Sequence, residues 1–136
     1  MDAAAAALAD LVEISSQVEA AVVVGDDGAV IASTLDDELR AKRFAESARR
    51  LFDAAVDNEA EIGSPPLQQL EAATLEGSVF VVRDAGRLIA AITGPEPTVG
   101  LVFYDLKTGL RQALEAPAEE PKPKARRPRK KADAPS

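Results

Sequence analysis

The sequence predicts an α+β domain with the element order α-β-β-α-β-β-β-α, in which a long helix crosses a five-stranded antiparallel sheet. Three observations lead to this fold. Two stretches of the chain repeat one hairpin pattern, an uninterrupted helical segment lies between them, and both ends of the domain show helical spacing of apolar residues. The length of 136 residues leaves room for one such domain.

The repeated hairpin explains a cluster of glycines and carboxylates in "AAVVVGDDGAVIAS". The stretch "VVVGDDGAVIAS", residues 22–33, aligns with "FVVRDAGRLIAA", residues 80–91, and both contain an apolar run, an aspartate, a glycine and a second apolar run. Aspartate supports turns through its side-chain hydrogen bond, and glycine supplies a positive φ. A phosphate loop would need a longer glycine pattern opening onto a helix, and a calcium loop would need alternate ligands ending in a distant glutamate. We therefore interpret residues 25–28 as a hairpin turn.

Helices are predicted at both ends of the domain, over residues 3–17 and from Val99 onward. The first has one apolar face made by Leu8, Leu11, Val12 and Ser15. The last, in "PTVGLVFYDLKTGLRQALEA", has an apolar face made by Val99, Val102, Phe103, Leu106, Leu110 and Leu114. Tyr104, Lys107 and Arg111 lie on its opposite side. A strand over residues 70–75 leads into the second hairpin.

The long helix is predicted over residues 35–62. A capping box of Thr34 and Asp37 begins it, and Gly63 followed by two prolines ends it. Its apolar face is wider than one sheet contact requires, with alanines at seven-residue spacing that would let a second helix approach closely. The core is also thin, because 27 of the 63 hydrophobic residues are alanine. We therefore expect a homodimer in which two such helices pack through Ala41, Phe44, Ala48, Leu51 and Ala55, with a helix fully buried in the core of one chain as the alternative.

Residue usage argues against catalysis. The chain has no cysteine and no histidine, which removes most hydrolytic and zinc chemistry and any disulfide. The densest carboxylate group is interpreted as caps and turns, with a divalent metal site as the alternative; it contains Asp26, Asp27, Asp36, Asp37 and Glu38. We therefore predict a protein that is not an enzyme and that holds no cofactor or metal. The sequence shows no signal peptide and no apolar run of about 18 residues, so a cytoplasmic location is expected.

Charge divides the chain into two parts. Residues 1–116 carry 9 lysines and arginines against 20 acids, a net charge of −11, whereas residues 117–136 carry +4 and five of the nine prolines. This composition predicts a domain over residues 1–116 and a disordered basic tail over 117–136. Seven cations lie between Lys122 and Lys131. Three interpretations remain open for them: a solvated tail, a weak contact to nucleic acid or anionic membrane, and a clamp on the acidic domain.

The element order, with "AAVVVGDDGAVIAS", "GRLIAAIT" and "PTVGLVFYDLKTGLRQAL", resembles the Roadblock/dynein-light-chain family, in particular its bacterial regulators of Ras-like GTPases. The resemblance covers about residues 5–115. It implies a homodimer in which the long helices lie side by side and the middle strands pair, which adds Leu70, Ala72 and Thr74 to the interface. It also implies that the dimer offers a platform to a small GTPase. In the polarity regulator of this family, the dimer raises GTP hydrolysis by its partner.

The leading functional hypothesis is therefore a non-enzymatic homodimeric adaptor or regulator that binds a small Ras-like GTPase. We expect the GTPase to contact the outward face of the long helix, at Arg40, Arg43, Glu46, Arg50 and Asp53. Arg49 and Arg50 are interpreted as part of a solvated helix face, with an arginine finger to the GTPase as the alternative. Two other functions remain as alternatives: a dimeric scaffold that contacts a polyanion through its tail, and a small-molecule sensor.

Overall fold

A computed structural model of the protein describes residues 3–62 and 67–115. The observed element order is the predicted one: α1 (Ala3–Ile14), β1 (Val18–Val24), β2 (Val30–Ser33), α2 (Glu38–Ile62), β3 (Gln69–Ala73), β4 (Ser78–Asp84), β5 (Arg87–Thr93) and α3 (Val99–Glu115). All neighbouring strands are antiparallel, in the spatial order β2-β1-β5-β4-β3. The predicted fold class is therefore confirmed. The predicted tail and the helix stop at Gly63, Pro65 and Pro66 lie outside the described residues.

Helices α1 and α3 pack side by side on one face of the sheet. Their apolar side chains form a core cluster with the residues of β1, β4 and β5 that point to this face. Phe80 of β4 and Phe103 of α3 meet edge to face, with ring centroids 5.0 Å apart at an interplanar angle of 75°. Such an arrangement places the positive edge of one ring against the negative face of the other. The predicted apolar face of α3 is confirmed at Val102, Leu106 and Leu110, which are fully buried.

Among the elements of residues 3–62 and 67–115, helix α2 is the one that covers the opposite face of the sheet. Ala41, Ala45, Ala48 and Phe52 point toward the sheet and are at most 3% exposed. They meet the other side chains of a second core cluster, from β1, β4 and β5: Val22, Val24, Val81, Leu88 and Ala90. Because three of the four inward residues of α2 are alanines, the helix axis can lie close to the strands.

Both hairpins have the turn geometry that the repeat predicts. In the first, Gly28 has a φ of 88°, and the Asp27 carboxylate accepts a hydrogen bond from the Ala29 N–H at 3.0 Å. In the second, Ala85 and Gly86 have φ values of 53° and 81°. Two successive positive φ angles in a two-residue loop define a type I′ turn, whose twist matches that of the flanking strands.

The first helix is shorter than predicted. It ends at Ile14 rather than at residue 17, because β1 begins at Val18, which pairs with Thr93 of β5. Within its predicted apolar face, Leu8 and Leu11 are buried, whereas Val12 is 38% exposed.

The long helix begins at Glu38, and the predicted capping box is wrong. Asp37 is the N-cap, since its carboxylate accepts hydrogen bonds from the N–H groups of Leu39 and Arg40 at 2.9 and 3.3 Å. The Thr34 hydroxyl instead accepts a hydrogen bond from the Ala21 N–H at 2.9 Å. This contact ties the residue after β2 to β1, so Thr34 belongs to the sheet side of the loop.

Candidate interaction surface

The middle of α2 is attached to the first hairpin by Arg49. Its guanidinium donates to the carbonyl oxygens of Gly25 and Asp26 at 3.3 and 3.5 Å. It also forms an ion pair with Asp53, one turn further along the helix, at 3.8 Å. Arg49 therefore holds the β1–β2 turn against the helix, a structural role that neither the solvated helix face nor the arginine finger predicted.

A second arginine, Arg83 of β4, contacts α2 at Phe52. The Arg83 guanidinium lies 5.0 Å from the centre of the Phe52 ring and donates to the Leu67 carbonyl oxygen at 2.7 Å. In the aligned repeat Arg83 stands at the position of Gly25, and the repeat alone does not predict this contact. The alternation of side chains along β4 could have predicted it. Val79 and Val81 pack on the face covered by α2, and Arg83, two residues further along, lies on the same face.

Two of the three alanines in the predicted stripe face the sheet of their own chain. Ala41 and Ala48 are 3% and 1% exposed because the sheet of the same chain covers them. The expectation that these two alanines contact a second helix is therefore corrected. The spacing of seven residues placed them on one face of the helix, but it did not show which layer covers that face.

An apolar flank that includes the third alanine of this stripe remains accessible. It consists of Phe44, Leu51 and Ala55. Leu51 is 37% exposed, and the other two side chains are half-buried. Phe44 packs at the margin of the second core cluster. We use the name "α2 flank" for these three residues.

The outermost strand, β3, contains the other predicted dimer residues. Leu70 and Ala72 are half-buried, and Leu70 packs at the margin of the same cluster as Phe44. Thr74 follows β3 and stabilises the β3–β4 turn: its hydroxyl donates to the Gly77 carbonyl at 2.8 Å and accepts from the Glu76 and Gly77 N–H groups. Among the described strands, only β4 pairs with β3, so the outer edge of β3 has main-chain groups without a strand partner.

The predicted partner-binding residues all lie exposed on α2: Arg40, Arg43, Glu46, Arg50 and Asp53. Asp53 is engaged by Arg49, whereas the other four form no ion pair with any residue of 3–62 and 67–115. Arg40 and Arg43 line an open groove of about 640 Å³ with Phe44 of the α2 flank and Ile92 of β5. The structure thus brings two of the predicted cations next to the apolar flank.

Two of the five carboxylates considered as metal ligands have structural roles. Asp27 stabilises the first hairpin turn and Asp37 caps α2. Within residues 3–62 and 67–115, no three histidines, cysteines or acids come close enough together to hold a metal ion. No helix in the described part of the chain is both long and apolar enough to span a membrane.

Comparisons with known proteins agree with this fold. Two uncharacterized proteins of Methanocaldococcus jannaschii are each 33% identical over 91 residues, covering 66% of this chain and 79% of theirs. A Roadblock/LC7 domain from Streptomyces avermitilis superposes with a TM-score of 0.72 at 19% identity, over 79% of this chain and 91% of that one. MglB of Myxococcus xanthus superposes with a TM-score of 0.69 at 14% identity, over 80% of this chain and 89% of that one.

The family comparison covers most of the domain. The sequence pattern of the Roadblock/LC7 domain matches residues 5–94, which run from α1 through the last strand of the sheet. This region includes α2, β3 and both repeated hairpins. The chain therefore belongs to the Roadblock/LC7 family.

Proposed function

We propose that the protein is a homodimeric adaptor, without catalytic activity of its own, that binds a small Ras-like GTPase in the cytoplasm. One observation carries the proposal: Phe44 of the half-exposed α2 flank and Leu70 of the edge strand β3 pack at the margin of one core cluster, and no described strand pairs with the outer edge of β3. Both features are completed by a second copy of the chain. Membership of a family whose members are generally regulatory supports the proposal.

Dimer formation would satisfy both features at once. Pairing of two β3 edges would continue the sheet across the dimer and give partners to the free main-chain groups, which otherwise template unwanted association. The same movement would bring the two α2 flanks together. Burying a leucine completely is worth about 1.5–3 kcal/mol, and Leu51 is 37% exposed in the single chain. In this arrangement Phe44, Leu51 and Ala55, rather than Ala41 and Ala48, form the helix contact, with Leu70 and Ala72 beside them.

The GTPase would then meet the outward face of the paired helices. Arg40, Arg43, Glu46 and Arg50 are exposed and free of ion pairs within the described residues, so they are available to a charged partner. Asp53 contributes to the same face while it holds Arg49. Charges at the rim of an interface act mainly on association rate and salt dependence.

Two measurements test the proposal separately. Sedimentation velocity at micromolar concentration measures the mass of the particle, and a dimer is expected. Calorimetric titration with small Ras-like GTPases, each loaded with GDP or a non-hydrolysable GTP analogue, measures the second interaction. A monomer would contradict the dimer, and a dimer that binds none of the GTPases in either nucleotide state would contradict the adaptor function.

A further inference from the structure

A shallow groove runs between α1 and α3, on the side of the sheet opposite to α2. The two helices are antiparallel: Gln17, just after α1, accepts a hydrogen bond from the Thr98 N–H just before α3, at 2.6 Å. Leu11 packs near Gly109, further along α3. The groove has a volume of about 130 Å³. Its walls include Asp10 and Ile14 of α1, together with side chains of α3: Tyr104, Asp105, Thr108 and Gln112.

The apolar walls of this groove are unusually exposed. Ile14 is 72% exposed and Tyr104 is 67% exposed, although each has a large hydrophobic surface. Leu101, one helical turn before Tyr104, is 50% exposed. Exposed apolar groups that are grouped together mark a binding surface more often than scattered ones. None of these residues takes part in the proposed dimer or GTPase surfaces.

The groove is also acidic. Asp10 and Asp105 line it, and neither forms an ion pair with any residue of the described ranges. Helix α1 contains no lysine or arginine over Ala3–Ile14. An exposed tyrosine that shares a groove with two carboxylates has the chemistry that recognises proline and cationic side chains together, because proline rings pack on aromatic faces and cations pair with the acids.

A segment with this chemistry follows α3 in the same chain. Residues 117–136, "PAEEPKPKARRPRKKADAPS", contain five prolines and seven lysines or arginines. Helix α3 ends at Glu115. At a rise of about 1.5 Å per residue, Tyr104 and Glu115 are about 17 Å apart along the helix axis. At about 3.1 Å per residue in extended form, the chain from Glu115 to Lys122 spans about 22 Å. The first cations can therefore reach the groove.

We infer that residues 117–136 dock into the groove between α1 and α3 of their own chain. The prolines pack against Tyr104 and Ile14, and the cations pair with Asp10 and Asp105. The tether supplies a millimolar effective concentration, so a weak contact suffices to occupy the groove. The contact is electrostatic in part and weakens as salt rises. A docked tail has its cations engaged, so a polyanion competes with the groove for them.

The chain carries its own probe for this contact, because Tyr104 is its single tyrosine and it has no tryptophan. Quenching of tyrosine fluorescence by acrylamide, a neutral quencher, reports on the exposure of this residue. The comparison uses the full chain and a full-length variant in which each lysine and arginine of residues 122–131 is replaced by glutamine. At low salt, we expect the quenching constant of the unaltered chain to be at least twofold lower than that of the glutamine variant. In 0.5 M NaCl it should rise to the value of the variant.

Two further full-length variants locate the contact. Asp10→Lys with Asp105→Lys should abolish the protection of Tyr104. The matched control is Asp36→Lys with Asp57→Lys. Both residues are exposed acids on the α2 side of the sheet, so the protection of Tyr104 should remain unchanged. Tyr104→Phe gives the blank, and circular dichroism verifies that each variant is folded.

Three results would overturn the inference. The first is equal quenching of Tyr104 in the unaltered chain and the glutamine variant at low salt. The second is an equal loss of protection in the control pair, which would indicate general charge attraction. The third is protection that increases with protein concentration, which would place the tail on another molecule.

Discussion

Ala48 and Leu51 lie three positions apart on α2, yet the sheet covers all but 1% of the alanine and leaves 37% of the leucine exposed. One turn of the helix thus separates a position that supports the fold from one that is available to another molecule. The same substitution at these two positions should therefore have different effects.

Leu51→Glu should convert the dimer into a monomer that remains folded. The new carboxylate would lie at the contact between two α2 flanks, where burying an unpaired charge costs several kcal/mol. Sedimentation velocity should show half the wild-type mass at micromolar concentration, and the circular dichroism spectrum should stay helical. Leu39→Glu is the control, because Leu39 is 55% exposed in the first turn of the same helix and outside the flank. A dimeric Leu51→Glu protein would exclude the flank as the interface.

Ala48→Glu should instead destabilise the fold itself. The side chain would point into the second core cluster with no partner for its charge, and such substitutions cost about 3–5 kcal/mol. The free energy of unfolding in urea measures the loss. Ala54→Glu is the control, since Ala54 is exposed on the same helix and should change stability by about 0.5 kcal/mol or less. Equal stabilities of the two variants would contradict the packing of Ala48 against the sheet.

The GTPase surface is tested by reversing two cations. Arg43→Glu combined with Arg50→Glu should weaken GTPase binding and reduce its salt dependence while the dimer persists, because rim charges act mainly on association rate. Surface plasmon resonance at several salt concentrations gives both quantities. Lys107→Glu with Arg111→Glu, on α3, is the matched control for net charge. If the α3 pair weakens binding and the α2 pair does not, the GTPase docks on the other layer of the domain.

The second hairpin should be stabilised by Ala85→Asn. Ala85 has a φ of 53°, a conformation that costs a non-glycine residue about 1 kcal/mol, and Asn-Gly is the preferred pair in a type I′ turn. We expect a gain of about 0.5–1 kcal/mol in the free energy of unfolding. Thermal unfolding should shift upward by a few degrees. Gly86→Ala, at a φ of 81°, should have the opposite effect. A destabilised Ala85→Asn protein would contradict the positive φ at this position.

The sequence was sufficient for the order of elements and for both turns, because aspartate, glycine and alternation act locally. The boundaries of the helices depended on long-range contacts. Helix α1 ends earlier than predicted because Val18 pairs with Thr93. Thr34 does not cap α2 because its hydroxyl accepts a hydrogen bond from β1. The candidate surface was predicted in part. Heptad spacing identified the faces of α2, but only the position of the sheet shows that Ala48 is covered and Leu51 accessible. Arg83 was missed, since its partners Phe52 and Leu67 are distant along the chain.

Two arginine contacts attach helix α2 to the rest of the domain near the middle of the helix. Arg49 fastens it to the first hairpin on one side, and Arg83, stacked on Phe52, fastens it on the other. Nearer its beginning, Ala41 and Ala45 pack on the sheet, and Arg40 and Arg43 beside them line the groove that Ile92 also borders. The helix is therefore joined to the domain by arginine contacts near its middle and by alanine packing nearer its beginning. A protein docked at Arg40 and Arg43 would contact the part of α2 that packs on the sheet through Ala41 and Ala45.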